Sequence, residues 1–199
     1  MIQITLKDGR VIEAAAGSTC LDVAAIISEG LARNALAAEV NGEIKDLRTA
    51  LHENANLAIL TWDDEGGRLA YRHTAAHVLA QAVLRLYPNT KLAIGPAIKD
   101  GFYYDFDSET IFTPEVLTTI EAEMQRIVSE KLPIARFTKS RAEALALVAG
   151  DPYKTELIEE FAEDEVISFY QQGDFIDLCA GPHLKSTCAV DSILRHLLL

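Results

Sequence analysis

Residues 2–13, IQITLKDGRVIE, decide how the opening of the chain is read. Ile2, Ile4 and Leu6 alternate with polar residues, the period of a strand with one buried face. Asp8-Gly9 offers a tight turn, and Val11-Ile12-Glu13 returns as the second strand of a hairpin. Working outward, Ser18 or Thr19 is placed to cap a helix carrying Leu21, Val23, Ala24 and Ile27. Asp22 falls in the first turn of that helix, where a carboxylate is favourable. Gly30 reads as the helix stop. Ala37–Val40 reads as a strand, Asn41-Gly42 as a type I′ turn, and Leu57–Leu60 as a closing strand. Hairpin, helix and short strands together predict an α+β unit of the ubiquitin-like β-grasp kind over residues 1–62. The polar, glycine-bearing run Asp63-Asp64-Glu65-Gly66-Gly67 reads as a linker, residues 63–67.

Residues 68–187 mix helices and strands and predict a larger α+β domain. An amphipathic helix from Arg72 to Leu86 carries Ala76, Leu79, Ala80, Val83 and Leu86, and Tyr87-Pro88-Asn89 ends it. Leu92–Ile98 and Phe102–Phe106 read as strands about Gly101. Thr113-Pro114-Glu115 has the form of an N-cap followed by proline at the first helical position. It opens a helix through Ile120, Met124, Ile127 and Val128. Further helices are expected over Ser140–Val148 and Lys154–Phe161, then strands over Val166–Tyr170 and Asp174–Leu178 with Gly173 near the turn.

The bulk numbers narrow the class. With 49% hydrophobic and 24% charged residues, the chain has the composition of a globular protein rather than a disordered one. No apolar run reaches the ~18 residues a membrane span needs, and the N-terminus has no apolar signal region. A cytoplasmic protein is expected, its three cysteines (Cys20, Cys179, Cys188) reduced. The net charge of −12 gives no general electrostatic footprint for a nucleic acid, although it leaves room for a local basic patch.

Two short motifs carry chemistry. In His73-Thr74-Ala75-Ala76-His77 the histidines stand at i and i+4, on one helical face. In Cys179-Ala180-Gly181-Pro182-His183 a thiol and an imidazole follow an expected strand. Of the five histidines only His52 and His196 lie outside these motifs, so the HxxxH…CxxxH pattern predicts one shared site. Three imidazoles and a thiolate suit tetrahedral zinc, which would activate a bound water. The same groups suit a directly held water, with a neutral imidazole as general base. A nucleophilic cysteine ranks last, because no third triad member stands nearby in sequence. Lys154, Asp177, Tyr103 and Tyr104 are further polar candidates, each also readable as an ordinary helix-start, strand-end or half-buried residue.

The stretches RHTAAHVLAQAVLRLYP (72–88), AIGPAIKDGFYYDF (93–106), YKTELIEE (153–160) and GDFIDLCAGPHLKST (173–187) resemble, in that order and spacing, the editing domain of threonyl-tRNA synthetases. GSTCLDVA (17–24) and VNGEIKDL (40–47) resemble the TGS β-grasp domain that precedes it in bacterial-type members. The resemblance implies a site in which His73, His77, Cys179 and His183 line a pocket. Lys154 and Asp177 are its polar helpers, and Tyr104 is a wall near the terminal adenosine. It implies that His73 and Lys154 position or activate water, that Asp177 recognises a seryl ammonium, and that Cys179 and His183 shape and polarise the pocket. The reaction implied is hydrolysis of threonine tRNA mischarged with serine, with no cofactor required. Alanyl-type relatives use a similar quartet for zinc, so the metal is left unassigned. No membrane or DNA partner is implied. Two other readings stay open: a non-catalytic RNA- or protein-binding module, and a zinc-dependent alanyl-type deacylase.

Two departures stand out. Ala180 occupies a place where the family usually has arginine, removing a potential phosphate or structural contact. From Cys188 to Leu199 the tail departs from the pattern. The aminoacylation core, with its ATP and its own zinc, is expected to lie outside these residues, so the chain alone is not expected to make threonyl-tRNA.

Overall fold

The computed structural model describes residues 1–190. Part of the tail singled out above, including His196 and Leu197–Leu199, lies outside them. The chain divides into two units: residues 1–72 with 181–185, and residues 73–180 with those from 186 on.

The first unit holds β1 (Ile2–Leu6), β2 (Val11–Ala14), β3 (Ser18–Thr19), α1 (Cys20–Ile27), α2 (Glu29–Asn34), β4 (Ala37–Val40), β5 (Glu43–Lys45), β6 (Ala50–Leu51) and β7 (Ala55–Leu60). Five strands form one sheet in the order β2-β1-β7-β4-β5. β1 and β7 run parallel, and the other pairs are antiparallel. With α1 between the first hairpin and β4, this is the ubiquitin-like β-grasp. Ile2, Ile4 and Leu6 pack with Val23, Leu47 and Leu57 in its core, as the alternation in β1 requires. Thr19 caps α1 in a reciprocal box, accepting from the Asp22 N–H while Asp22 accepts from the Thr19 N–H. Asn41 and Gly42 both have positive φ, 52° and 88°, which the type I′ turn demands.

The stop expected at Gly30 is not there. α1 ends at Ser28, whose extended backbone breaks the helix and whose hydroxyl at once caps α2, leaving Gly30 inside a second short helix. The expected linker also differs. α3 (Glu65–Leu86) begins within it. Asp64 accepts from the Thr61 N–H, and the Arg68 guanidinium donates to the Trp62 and Asp63 carbonyls. Gly67 is there for close approach, since a Cβ would lie 2.0 Å from the Thr61 carbonyl oxygen.

The second unit takes up α3 from His73 and adds β8 (Lys91–Leu92), β9 (Ala97–Ile98), β10 (Gly101–Phe102), β11 (Phe106–Asp107), α4 (Pro114–Ser129), β12 (Ile134–Lys139), α5 (Arg141–Leu147), α6 (Pro152–Glu160), β13 (Ile167–Gln172) and β14 (Phe175–Leu178). β12, β13 and β14 form an antiparallel sheet, with Gly173 at φ 59° turning β13 into β14. The two strands expected around Gly101 are broken into short ladders, β8 with β11 and β9 with β10. β12 has no sequence signal, because this edge strand buries only Ile134 and shows no alternation. Proline after the Thr113 and Asp151 caps starts α4 and α6. Among the described residues no helix is long and apolar enough to cross a membrane.

The two glycines give opposed expectations. Gly30→Ala meets nothing closer than 3.9 Å and should stabilise the chain by about 0.5–1 kcal/mol. Gly67→Ala should destabilise it by about 1–3 kcal/mol despite its helical position, because the carbonyl of Thr61 must move. Urea unfolding of both variants measures the pair.

Candidate active site

α3 presents His73 and His77 one turn apart, their rings edge to face with centroids 5.2 Å apart. β14 carries Asp177, and Cys179 follows its last residue. The Cys179 N–H donates to the Ser168 carbonyl, and the Ser168 hydroxyl donates to the Cys179 carbonyl at 2.6 Å. Strand β13 therefore fixes the thiol from both sides of its own backbone. The Cys179 Sγ lies 3.3 Å from the His73 Nε2. The ligating atoms of His73, His77 and Cys179 all fall within 4.8 Å of one another, so this His/Cys group can hold a metal.

Beside that group lies a buried ionic cluster. Asp177 is 3% exposed and Lys154 7%. The Lys154 ammonium pairs with Asp177 Oδ1. Tyr104 donates its hydroxyl to Oδ2 at 2.8 Å, and His77 Nε2 stands 3.5 Å from the same oxygen. Each part has a local reason. Asp151 caps α6 and accepts from the Lys154 N–H, which sets the lysine in the first turn. Tyr104 stacks on Phe106 at 5.0 Å. Its ring presses so closely on Gly95 that a Cβ there would lie 2.1 Å away. Phe175 closes the edge of His77 at a centroid distance of 5.8 Å.

Charge follows from burial. Loss of solvent pushes His77 down to about 4, the Asp177 carboxylate opposing and the His73 and Lys154 charges adding to the shift. His77 is therefore a neutral imidazole near pH 7. Burial works to raise Asp177, but the Lys154 ammonium, His77 and the hydrogen bonds from Lys154 and Tyr104 outweigh it and hold the carboxyl below its ordinary value. Burial, then the Asp177 charge, raises Tyr104, so it stays a phenol that donates. His73 and Cys179 are half-buried and form the part of the group that solvent reaches.

Within the second unit the fold thus brings together six of the seven expected site residues: His73, His77, Tyr104, Lys154, Asp177 and Cys179. His183, the seventh, is buried and belongs to the segment 181–185 that packs in the first unit. The ordinary readings of Lys154 and Asp177, a solvated helix start and a strand-end charge, do not hold, because both are buried against each other. Three supporting residues escaped the sequence reading. Asp151 was visible in principle as an Asp-Pro helix start. Ser168 and Gly95 act only through neighbours distant in sequence and gave no local signal.

Family models match at both ends of the chain: the TGS domain over residues 2–61, and the threonyl and alanyl tRNA synthetase second additional domain over residues 167–194. The second match runs beyond Thr187, where the resemblance above was drawn to a close. Among curated proteins, the threonine–tRNA ligase of Clostridium tetani is 58% identical over 195 residues, 97% of this chain and 30% of the ligase. That of Acetivibrio thermocellus is 59% identical over 189 residues, 94% of this chain and 30% of the ligase. That of Desulforamulus reducens is 58% identical over 195 residues, 97% and 31%. The chain spans about three-tenths of the length of these relatives. It carries a TGS domain and a threonyl/alanyl second additional domain, and over nearly all of its length it is similar to the N-terminal region of threonine–tRNA ligases.

Proposed function

We propose that the chain is a proofreading segment whose pocket hydrolyses the ester of threonine tRNA mischarged with serine, in the cytoplasm and without a required cofactor. The observation that carries this reading is a neutral, buried His77 and an ion-paired Asp177 beside the half-buried His73–Cys179 pair. That pocket sits in a chain similar to threonine–tRNA ligases. The net charge of −12 supplies no long-range attraction for RNA, so the pocket's chemistry and not the electrostatics supports the assignment.

In this reading water attacks the ester carbonyl carbon while His73 takes one of its protons, and Lys154 helps to place the water. The carbonyl becomes an oxyanion. Collapse breaks the bond to the ribose oxygen, which recovers the proton from His73, releasing serine and tRNA. Asp177, already held by Lys154 and Tyr104, receives the seryl ammonium as a further donor. Tyr104 forms the wall beside the terminal adenosine, and Cys179 and His183 shape the pocket. The part of His183 rests on its CxxxH spacing from Cys179. Exclusion of the extra threonine methyl is the expected source of selectivity, worth about 1–3 kcal/mol.

A second reading is favoured by the donor set itself. His73, His77 and Cys179 offer two imidazoles and a thiolate, with His183 the fourth expected ligand, a set that suits zinc. Zinc bound there would lower the pKa of a coordinated water.

Three measurements follow. The chain should deacylate seryl-tRNA at least about tenfold faster than threonyl-tRNA, and His73→Ala should lower the seryl rate by about 10²-fold or more. Equal rates on both substrates, or none on either, would remove the proposal, and tRNA binding without turnover would leave a binding module. The purified chain should carry less than stoichiometric zinc and keep its activity in chelator; one zinc per chain, with activity lost on chelation, would select the second reading. Finally, His77 is neutral in the folded chain down to about pH 4 against an ordinary value of 6.5. Its contribution is full above about pH 6.5 and lost as pH falls from there towards 4, because the unfolded chain then binds a proton the folded chain refuses. The loss should be of the order of 3 kcal/mol at most, and His77→Gln should flatten that part of the stability–pH curve in urea unfolding.

A further inference from the structure

The connection between β5 and β6 in the β-grasp unit, Asp46-Leu47-Arg48-Thr49, is unusually well held for a loop. The Leu47 side chain is 2% exposed in the core of that unit. The Leu47 carbonyl accepts from the Leu21 N–H and the Thr49 carbonyl from the Cys20 N–H, both at 3.0 Å, so the first turn of α1 pins the loop. The Thr49 N–H closes it on the Asp46 carbonyl at 3.0 Å.

From this fixed base two charged side chains grip the segment 181–185, which belongs to the same unit. Asp46, 6% exposed, accepts the His183 N–H on Oδ1 at 2.7 Å. The Arg48 guanidinium donates to the Leu184 carbonyl at 2.8 Å and to the His183 carbonyl at 3.4 Å. It also pairs with Asp46 Oδ1 at 3.1 Å. Both peptide groups that flank the His183 side chain are therefore fixed by ionised groups, and charge-assisted bonds are about twice as strong as neutral ones. Leu184, 1% exposed, anchors the next residue. A grip of this kind removes freedom at the Cα that carries the imidazole, which is how a ring is held in one orientation.

We infer that Asp46 and Arg48 of the β-grasp unit are positioning residues for His183. The inference rests on the reading above, in which His183 works in the hydrolytic pocket. It gives Asp46 and Arg48 a part without any contact with substrate: they hold the peptide groups on either side of one side chain of the proposed pocket.

The test uses the full chain with Asp46→Ala, Asp46→Asn, Arg48→Ala and His183→Ala, and two measurements. One is exchange of the His183 amide hydrogen, and the other is single-turnover deacylation of seryl-tRNA over a range of enzyme concentrations. Asp46→Ala should speed exchange at His183 by about tenfold or more, and lower the saturating rate by about tenfold with half-saturation little changed. Asp46→Asn, which keeps an acceptor oxygen, should recover most of both. Arg48→Ala should lower the rate in the same sense, and it carries the test if Asp46→Ala fails to fold. Faster exchange with an unchanged rate, or a rate loss that Asp46→Asn does not recover, would overturn the inference. His183→Ala separates the two levels. If its rate equals that of the parent chain, the reading of the pocket fails. If its rate falls while the Asp46 and Arg48 variants keep theirs, only the positioning role fails.

Discussion

A carboxylate taken out of water must be compensated on the spot, and Asp177 is the residue on which this requirement falls. An unpaired buried charge costs several kcal/mol, so the fold around β14 has to deliver partners. The Lys154 ammonium comes from the first turn of α6, the Tyr104 hydroxyl from the segment between β10 and β11, and the His77 ring from α3. Three pieces of chain far apart in sequence are thereby tied to one atom pair. The same arrangement leaves His77 neutral and Tyr104 protonated at neutral pH, and holds the Asp177 carboxyl below its ordinary value.

The half-buried pair of His73 and Cys179 borrows its order from that cluster. His73 is one helical turn from His77, and Cys179 is two residues beyond Asp177, so fixing the buried members fixes the accessible ones. Burial and reactivity are separated by a single helical or strand step. In the proposed hydrolysis such preorganisation matters, because donors and bases already in place need no reorganisation as charge develops. The grip of Asp46 and Arg48 on the peptide groups of His183 applies the same device in the β-grasp unit.

Legibility in the sequence depended on how local the cause was. The alternation of Ile2, Ile4 and Leu6, the caps at Thr19 and Thr113, and the Asn41-Gly42 turn were all readable, since each acts within a few residues of itself. Gly30 and Gly67 were misread because glycine serves several ends. Ser28 ends α1 before Gly30 is reached, and Gly67 is dictated by the Thr61 carbonyl. β12 was missed because an exposed edge strand needs no hydrophobic alternation when its partner β13 supplies the pairing. In the pocket, the i, i+4 spacing announced that His73 and His77 share a face, whereas nothing near Asp177 announced Lys154.

Taken alone, the order of residues determined which side chains share a helix face, where turns and caps must fall, and that three of the five histidines fall in two short motifs. These are properties of backbone geometry over a few residues, and short-range sterics and hydrogen bonding decide them. Only the tertiary structure decided which groups lost their water, which charges then had to pair, and that Gly95 had to yield its side-chain space to Tyr104. Desolvation and close packing depend on neighbours brought from anywhere in the chain, and no local pattern encodes them.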